Sequence, residues 1–160
     1  ATDIFTGDPV IIEGTSILRE DLGIYVPTVV RATAGATNYV TGVVVGFLPE
    51  TDESPRYKTD ATTERLVMVA DNPNQLFEVQ ADGSVAVTDV GNTADIIFTH
   101  AGSTTSGQSG AELDTSDIGT GDQIVIEGVT QKPDRGDLGS ANPVLTVRFN
   151  LHQKRNTTGV

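Results

Sequence analysis

The chain has 160 residues, a formal net charge of −12 and no cysteine. A chain of this length most simply forms one domain whose core needs neither disulfide nor metal, and the lack of cysteine excludes disulfide and thiolate chemistry. Nucleic-acid binding is not expected, because phosphate groups are bound by Lys and Arg, which are few here. An anionic membrane surface would repel the chain for the same reason.

Short stretches rich in Val, Ile and Thr, separated by Gly and Pro, predict β-strands along the whole chain. In chain order, the predicted strands are 10–13, 26–32, 39–48, 66–70, 75–80, 84–88, 96–99, 123–127 and 144–152. Segment 66–70 is apolar on both faces, which predicts a central, buried strand. Asp82-Gly83 lies between two strands and predicts a hairpin turn. Segment 144–152 alternates apolar and polar residues, which is typical of a strand with one buried face.

Eight or nine short strands without a long amphipathic helix predict an all-β fold. We expect a jelly-roll-like β-sandwich or a partly closed barrel with an extended N-terminal arm. Residues 1–25 would form the arm, which could contact another subunit, and residues 26–160 would form a single sandwich domain. The segments 49–63 and 101–110 lack periodicity, and the second, rich in Gly, Ser and Thr, is expected to be a flexible surface loop.

The sequence contains few residues suited to catalysis or metal binding. Two separated histidines, His100 and His152, do not predict a zinc site in a chain without cysteine, and no Gly-x-Ser-x-Gly motif indicates a nucleophilic serine. Asp114, Asp117 and Asp122 are not spaced as in an EF-hand, and we interpret them as an acidic surface. The sequence therefore predicts no catalytic residue, no metal site and no cofactor, which favours a structural protein over an enzyme.

Five strings carry a resemblance to a known family through their order and spacing. They are LVMVADNPNQLFEVQ at 66–80, TDVGNTAD at 88–95, GSTTSG at 102–107, SGAELD at 109–114 and VRFNLHQ at 147–153. In these strings the chain resembles the head decoration, or cement, proteins of tailed bacteriophages. The resemblance covers roughly residues 40–153 and is weaker in the first 35 residues.

The resemblance implies a virion protein that is made in the cytoplasm of the host bacterium and lies on the outer surface of the phage head. Proteins of this family bind the shell after it expands and clamp neighbouring subunits of the major capsid protein, so that the capsid resists the pressure of the packaged DNA. They form small symmetric oligomers. The resemblance therefore implies a homotrimer, with a dimer as the alternative.

Two terminal segments contain the candidate contacts with the capsid or a second subunit. Ile4, Phe5, Pro9 and Ile11 lie in the predicted arm, which could add a strand to a neighbouring sheet, although Ile11 fits a place in the chain's own core equally well. Near the other end, Lys154 and Arg155 could contact an acidic capsid surface or lie in a solvated terminus.

Other function classes stay open. A phage tail or baseplate component would share the all-β pattern and the absence of catalytic motifs. A free-standing β-sandwich binding or adhesin module is a second alternative, although the lack of Trp argues against sugar stacking. An enzyme on a cupin scaffold would need a cluster of metal-binding histidines.

Overall fold

The computed structural model describes residues 2–49, 51, 54–59, 64–129, 133 and 136–155. These residues form ten β-strands: β1 (Pro9–Arg19), β2 (Ile24–Arg31), β3 (Gly42–Phe47), β4 (Val67–Ala70), β5 (Phe77–Gln80), β6 (Thr93–Ala94), β7 (Ile96–Ile97), β8 (Glu112–Leu113), β9 (Ile124–Val129) and β10 (Val144–Phe149). The same part of the chain contains single-turn 3-10 helices at Val87–Asp89, Thr115–Asp117 and Gln153–Arg155 and no α-helix.

The strands form three antiparallel sheets, with the orders β2-β1-β3-β4, β5-β10-β9-β6 and β7-β8. This arrangement confirms the predicted all-β fold and is an open sandwich rather than a closed barrel. The first sheet takes all its strands from residues 9–70, and the second takes its strands from residues 77–149. A jelly roll distributes its strands differently, because successive strands alternate between the two sheets.

Two clusters of buried apolar side chains hold these sheets together. The larger one gathers residues of β6 to β10, of the β2–β3 connection and of the segment after β5: Ala32, Val40, Ala81, Val85, Ala94, Ile96, Leu113, Ile124, Ile126, Leu145, Val147 and Phe149. The smaller one lies against the first sheet and consists of Ile4, Val10 and Val44, with Val29, Phe47, Val67 and Val69 packed around them. In β10 the predicted alternation is confirmed, since every second residue from Leu145 to Phe149 is buried.

The prediction of a central strand at 66–70 was wrong. Strand β4 is an edge strand of the first sheet and, among the residues that the structure describes, pairs with β3 alone. Val67 and Val69 pack into the smaller core, whereas Met68 on the opposite face is 49% exposed. Apolar side chains on both faces therefore do not require burial on both faces.

The predicted hairpin at Asp82-Gly83 was also wrong. Strand β5 pairs with β10, and segment 84–88 contains no strand. One carboxylate oxygen of Asp82 accepts hydrogen bonds from the backbone N–H and the hydroxyl of Thr115, at 2.9 and 2.7 Å. These long-range bonds direct the chain towards the segment after β8 instead of back along β5.

The segment 101–110, expected to be a flexible loop, is anchored on the N-terminal residues. Thr6 donates its N–H to the carbonyl of Gly107 at 2.9 Å and accepts from the N–H of Ser109 at 2.8 Å. A Cβ at Gly102 would lie 2.2 Å from the ring of Phe5. The glycine therefore permits a close approach that a larger residue would prevent.

The first 25 residues do not form an arm separate from the sandwich. Strands β1 and β2 form one long hairpin within the first sheet, and the predicted boundary at residues 25 and 26 falls inside β2. Only Pro9 and Val10 of β1 pair with β3. Beyond them the hairpin continues as a two-stranded ribbon, since β1 has no strand partner there except β2 among the described residues.

Candidate interaction surface

The first two predicted contact residues lie inside the chain's own fold. Ile4 exchanges two backbone hydrogen bonds with Lys58, at 2.9 and 2.8 Å, and Phe5 stacks on Tyr57 with ring centroids 5.0 Å apart. Ile4 is 6% exposed and Phe5 is 4% exposed. Neither side chain is therefore available as a surface anchor.

A buried carboxylate fixes this segment. Asp8 accepts a hydrogen bond from the N–H of Phe5 at 2.8 Å and another from the hydroxyl of Ser109. Burial raises the pKa of Asp8, while the hydrogen bonds from Ser109 and Phe5 oppose that rise. The carboxylate thus joins the N-terminal segment to the 101–110 loop.

Pro9 and Ile11, the other two arm candidates, are residues of β1. Pro9 is buried and pairs with Val43 of β3, and Ile11 is half-buried opposite Val30 of β2. The strand that contains these two residues therefore belongs to the chain's own sheet. All four arm candidates serve the fold of this chain.

The two basic candidates near the C-terminus are held by the β4–β5 connection. Lys154 forms an ion pair with Asp71. Arg155 donates to the carbonyl of Pro73 at 2.7 Å and to the side-chain oxygen of Asn74 at 2.5 Å. Both side chains remain exposed, but their hydrogen-bonding groups are already engaged within the chain.

The far end of the β1–β2 hairpin is the surface that the sequence analysis missed. Four large apolar side chains are exposed there: Leu18 (45%), Leu22 (56%), Ile24 (53%) and Tyr25 (70%). Leu18 pairs with Tyr25 and the neighbouring Arg19 pairs with Ile24. Since successive residues of a strand point to opposite faces, apolar groups are exposed on both faces of the ribbon. We define these four residues as the hairpin patch.

The signal for this hairpin is present in the sequence. Apolar residues at 17–18 and 24–26 flank a turn that ends at Gly23, whose φ of +66° favours glycine. The charged residues of the turn hid the pairing, because they resemble a polar linker. Arg19 and Asp21 in fact hydrogen-bond each other across the turn, at 3.0 and 3.1 Å, and this contact lowers the pKa of Asp21.

A groove of about 470 Å³ lies beside the hairpin. One wall comes from β1 and β2, through residues such as Ile12, Ile17 and Val26, and the other comes from Phe47 and Val67 of β3 and β4. Its charged lining residues are three acids and three bases, namely Glu13, Glu64, Asp71, Arg19, Lys58 and Arg65. Most of its other lining residues are apolar, and its charged residues balance, unlike those of the acidic chain as a whole.

The groove opens because β1 separates from β3 after Val10. At Ile12 the side-chain amide of Gln153 takes the place of a β3 residue. Its oxygen accepts a hydrogen bond from the N–H of Ile12 at 2.8 Å, and its nitrogen donates to the carbonyl of Ile12 at 3.2 Å. The hydroxyl of Thr41 also accepts from the N–H of Ile12 at 3.0 Å. Polar side chains thus end the pairing of β1 with β3.

Two of the three acidic residues compared with a calcium loop, Asp114 and Asp117, lie in one local turn. The Asp114 carboxylate accepts from the N–H of Ser116 at 2.8 Å, and its charge raises the pKa of Asp117. Across the described residues, no group of three or more His, Asp or Glu side chains could hold a metal ion. The described part of the chain also includes no helix long and apolar enough to cross a membrane.

Comparisons with protein families, with characterised proteins and with solved structures gave no match to this chain.

Proposed function

We propose that the chain is a non-enzymatic virion protein that decorates the phage head. In this role it binds the outer surface of the expanded shell and clamps neighbouring subunits of the major capsid protein. The sequence resemblance supports the choice of partner. The observation that carries the proposal is the hairpin patch, an apolar surface projecting from an acidic β-sandwich.

The hairpin patch has the properties of a docking element. Exposed apolar groups rimmed by charged residues mark interaction sites on soluble proteins, and a two-stranded ribbon alone is marginally stable in water. Leu22 and Ile24 are more than half exposed in this state. A capsid surface that covered them would supply the burial that the ribbon lacks.

Charge has a secondary role in this proposal. Between Arg65 and Lys132 the sequence contains ten acidic residues and no Lys or Arg. We therefore expect this region to face solvent or to contact basic patches on the shell. Charges at the rim of an interface mainly set the association rate, whereas buried apolar anchors supply most of the affinity. We therefore expect hairpin substitutions to weaken capsid binding more than loss of single acids.

The alternatives are a tail or baseplate component and a free-standing binding module. A tail component would present the same patch to copies of itself in rings or tubes. A free-standing module would present it to a partner outside the virion. Neither requires recognition of the expanded shell, which is the property that separates the three proposals.

Co-sedimentation with capsid shells tests the proposal. Shells of the encoding phage, in expanded and unexpanded form, are mixed with the purified chain and pelleted. We expect saturable binding to expanded shells alone, because the composite surface formed by several capsid subunits is complete only after expansion. Rings or tubes without shells, or no binding to either form, would contradict the proposal.

A hairpin substitution locates the contact. Leu22→Ser removes an exposed apolar side chain from the patch, and we expect binding to weaken about tenfold, as for a moderate anchor of an interface. The matched control is Val87→Ser, which changes a side chain that is 73% exposed and lies outside the hairpin. Equal binding by both variants would show that the patch is not the docking element.

A further inference from the structure

The two edges of the β1–β2 ribbon are protected differently. On the outer edge of β2, Pro27 stands in the middle of the strand and has no N–H to offer an added strand. Proline on an edge strand is a common protection against pairing with another chain. The opposite edge of the ribbon, on β1 beyond Ile12, has no proline.

The hydrogen bonds at each end of β1 show which backbone groups face outward. The N–H of Ile12 points away from β2, because it donates to Thr41 and Gln153. At the other end, the carbonyl of Arg19 accepts from Leu22 and Gly23 and so closes the turn towards β2.

A strand alternates the direction of its backbone groups, so Ile17 faces β2 as Arg19 does, while Ser16 and Leu18 face outward. Their backbone N–H and carbonyl groups have no hydrogen-bond partner within the described ranges of the chain. An unprotected edge with free donors and acceptors is a template for an added strand.

We propose that a second copy of this chain pairs with β1 along this edge. The two β1 strands run antiparallel about a two-fold axis at Ile17, so that Ser16 of each copy exchanges hydrogen bonds with Leu18 of the other. The result is a four-stranded sheet with the order β2-β1-β1-β2. Both Ser16 and Leu18 face outward, which is the requirement for a hydrogen-bonded antiparallel pair.

The symmetry of the edge and the distribution of charge favour a second copy as the occupant. The pairing register is self-complementary, as a two-fold interface requires. Residues 9–31 contain three acids and two arginines, a net charge of −1, whereas the whole chain has −12. Two copies that meet through their hairpins thus bring together the part of each chain that repels the other least.

The pairing would also cover part of the hairpin patch. Leu18 lies at the new strand pair, and Tyr25 lies beside it on the same face of the sheet. Leu22 and Ile24, towards the turn, would remain available for the capsid. The inference specifies the self-contact within the proposed decoration function and assigns it the two-fold symmetry of a dimer rather than a trimer, but its test does not involve capsids.

The test is the mass of the purified full chain in solution, measured by sedimentation equilibrium over about a hundredfold range of concentration. We expect a reversible dimer of twice the 16.8 kDa chain mass. Ser16→Pro removes one outward N–H and should raise the dimer dissociation constant at least about tenfold. Leu18→Lys adds a charge at the new strand pair and should also raise the dimer dissociation constant at least about tenfold.

The control variant is Val87→Lys, which makes an apolar-to-lysine change at an exposed site far from β1 in the sequence and should leave the dissociation constant unchanged. Circular dichroism of each variant shows whether the sandwich is intact. A monomer at every concentration, a trimer, or a dimer that persists in both edge variants would overturn the inference. If the wild-type chain forms the dimer but does not bind expanded shells, the result would contradict the proposed function and leave the dimer inference intact.

Discussion

Single buried polar side chains decide how the loops of this protein are held. Gln123 is fully buried, and its amide makes four hydrogen bonds. Its oxygen accepts from the N–H of Gly35 and of Ile96, both at 3.1 Å. Its nitrogen donates to the carbonyls of Thr33 and Asn38, at 2.9 and 3.1 Å. One side chain thus joins the β2–β3 connection to β7 and β9.

Replacement of this amide tests its contribution. Gln123→Leu keeps a similar volume but leaves four backbone groups without partners, so we expect the free energy of unfolding to fall by about 3 kcal/mol or more. Urea denaturation measures the change. Gln75→Leu, at an exposed glutamine, should stay within about 0.5 kcal/mol of the wild type. Equal effects of the two substitutions would contradict the role given to Gln123.

We expect His152 to make the fold sensitive to mild acid. Its Nδ1 accepts a hydrogen bond from the N–H of Lys154 at 3.1 Å, which requires an unprotonated nitrogen. Burial lowers the pKa of His152, and the neighbouring charges of Arg155 and Lys154 lower it further. The unfolded chain therefore takes up a proton below about pH 6.5 that the folded chain resists.

The sign of the resulting pH dependence follows from that difference. The stability contributed by neutral His152 is present above the unfolded-state pKa and is lost as the pH falls below it. We expect the free energy of unfolding to decrease between pH 7 and pH 5.5, and to decrease less in His152→Leu. A wild-type slope in His152→Leu would refute the assignment.

At the scale of the elements, the first sheet depends on a close approach of β3 to β4. A Cβ at Gly42 would lie 2.2 Å from the carbonyl oxygen of Ala70 and 2.9 Å from the Cα of Asp71. Backbone atoms cannot move aside as the end of a side chain can. Gly42 therefore allows β3 to pair with β1 and β4 at the same point.

An alanine at this position should separate the strands. We expect Gly42→Ala to lower the free energy of unfolding by about 2–3 kcal/mol, the range of an overpacked interior site. Gly128, in β9, has no atom within 4 Å of an added Cβ, so Gly128→Ala should change stability by less than about 1 kcal/mol. Thermal or urea unfolding of the two variants measures the contrast, and a neutral Gly42→Ala would contradict the steric argument.

Local sequence patterns predicted some elements and not others. The alternation at 144–152 marked β10 because this strand has one face in the core, and the pattern reflects that environment directly. The pattern at 66–70 could not reveal an edge position, since no residue within the strand encodes which neighbours it will have. Asp82-Gly83 has the composition of a hairpin turn, but its pairing is determined by Thr115, 33 residues away.

At the scale of the whole molecule, composition and strand pattern were sufficient to predict the all-β class, whereas the location of the exposed hairpin patch required the tertiary structure. The sequence predicted Phe5 to be an exposed anchor, but Tyr57 and the 101–110 loop cover its ring in the folded chain. Tyr25 falls in the predicted arm, just before the strand predicted at 26–32, and in the folded chain it is 70% exposed near the end of the ribbon. Exposure depends on distant segments, so local patterns do not report it.

The most direct test of the decoration proposal is a cryo-electron microscopy reconstruction of expanded shells of the encoding phage, incubated with the purified chain and compared with shells alone. The proposal predicts added density on the outer surface that fits the β-sandwich, bridges at least two capsid subunits and contacts them through the end of the β1–β2 hairpin. Decorated and undecorated shells with the same density would contradict it. Density confined to the tail or the portal vertex would favour a tail component instead.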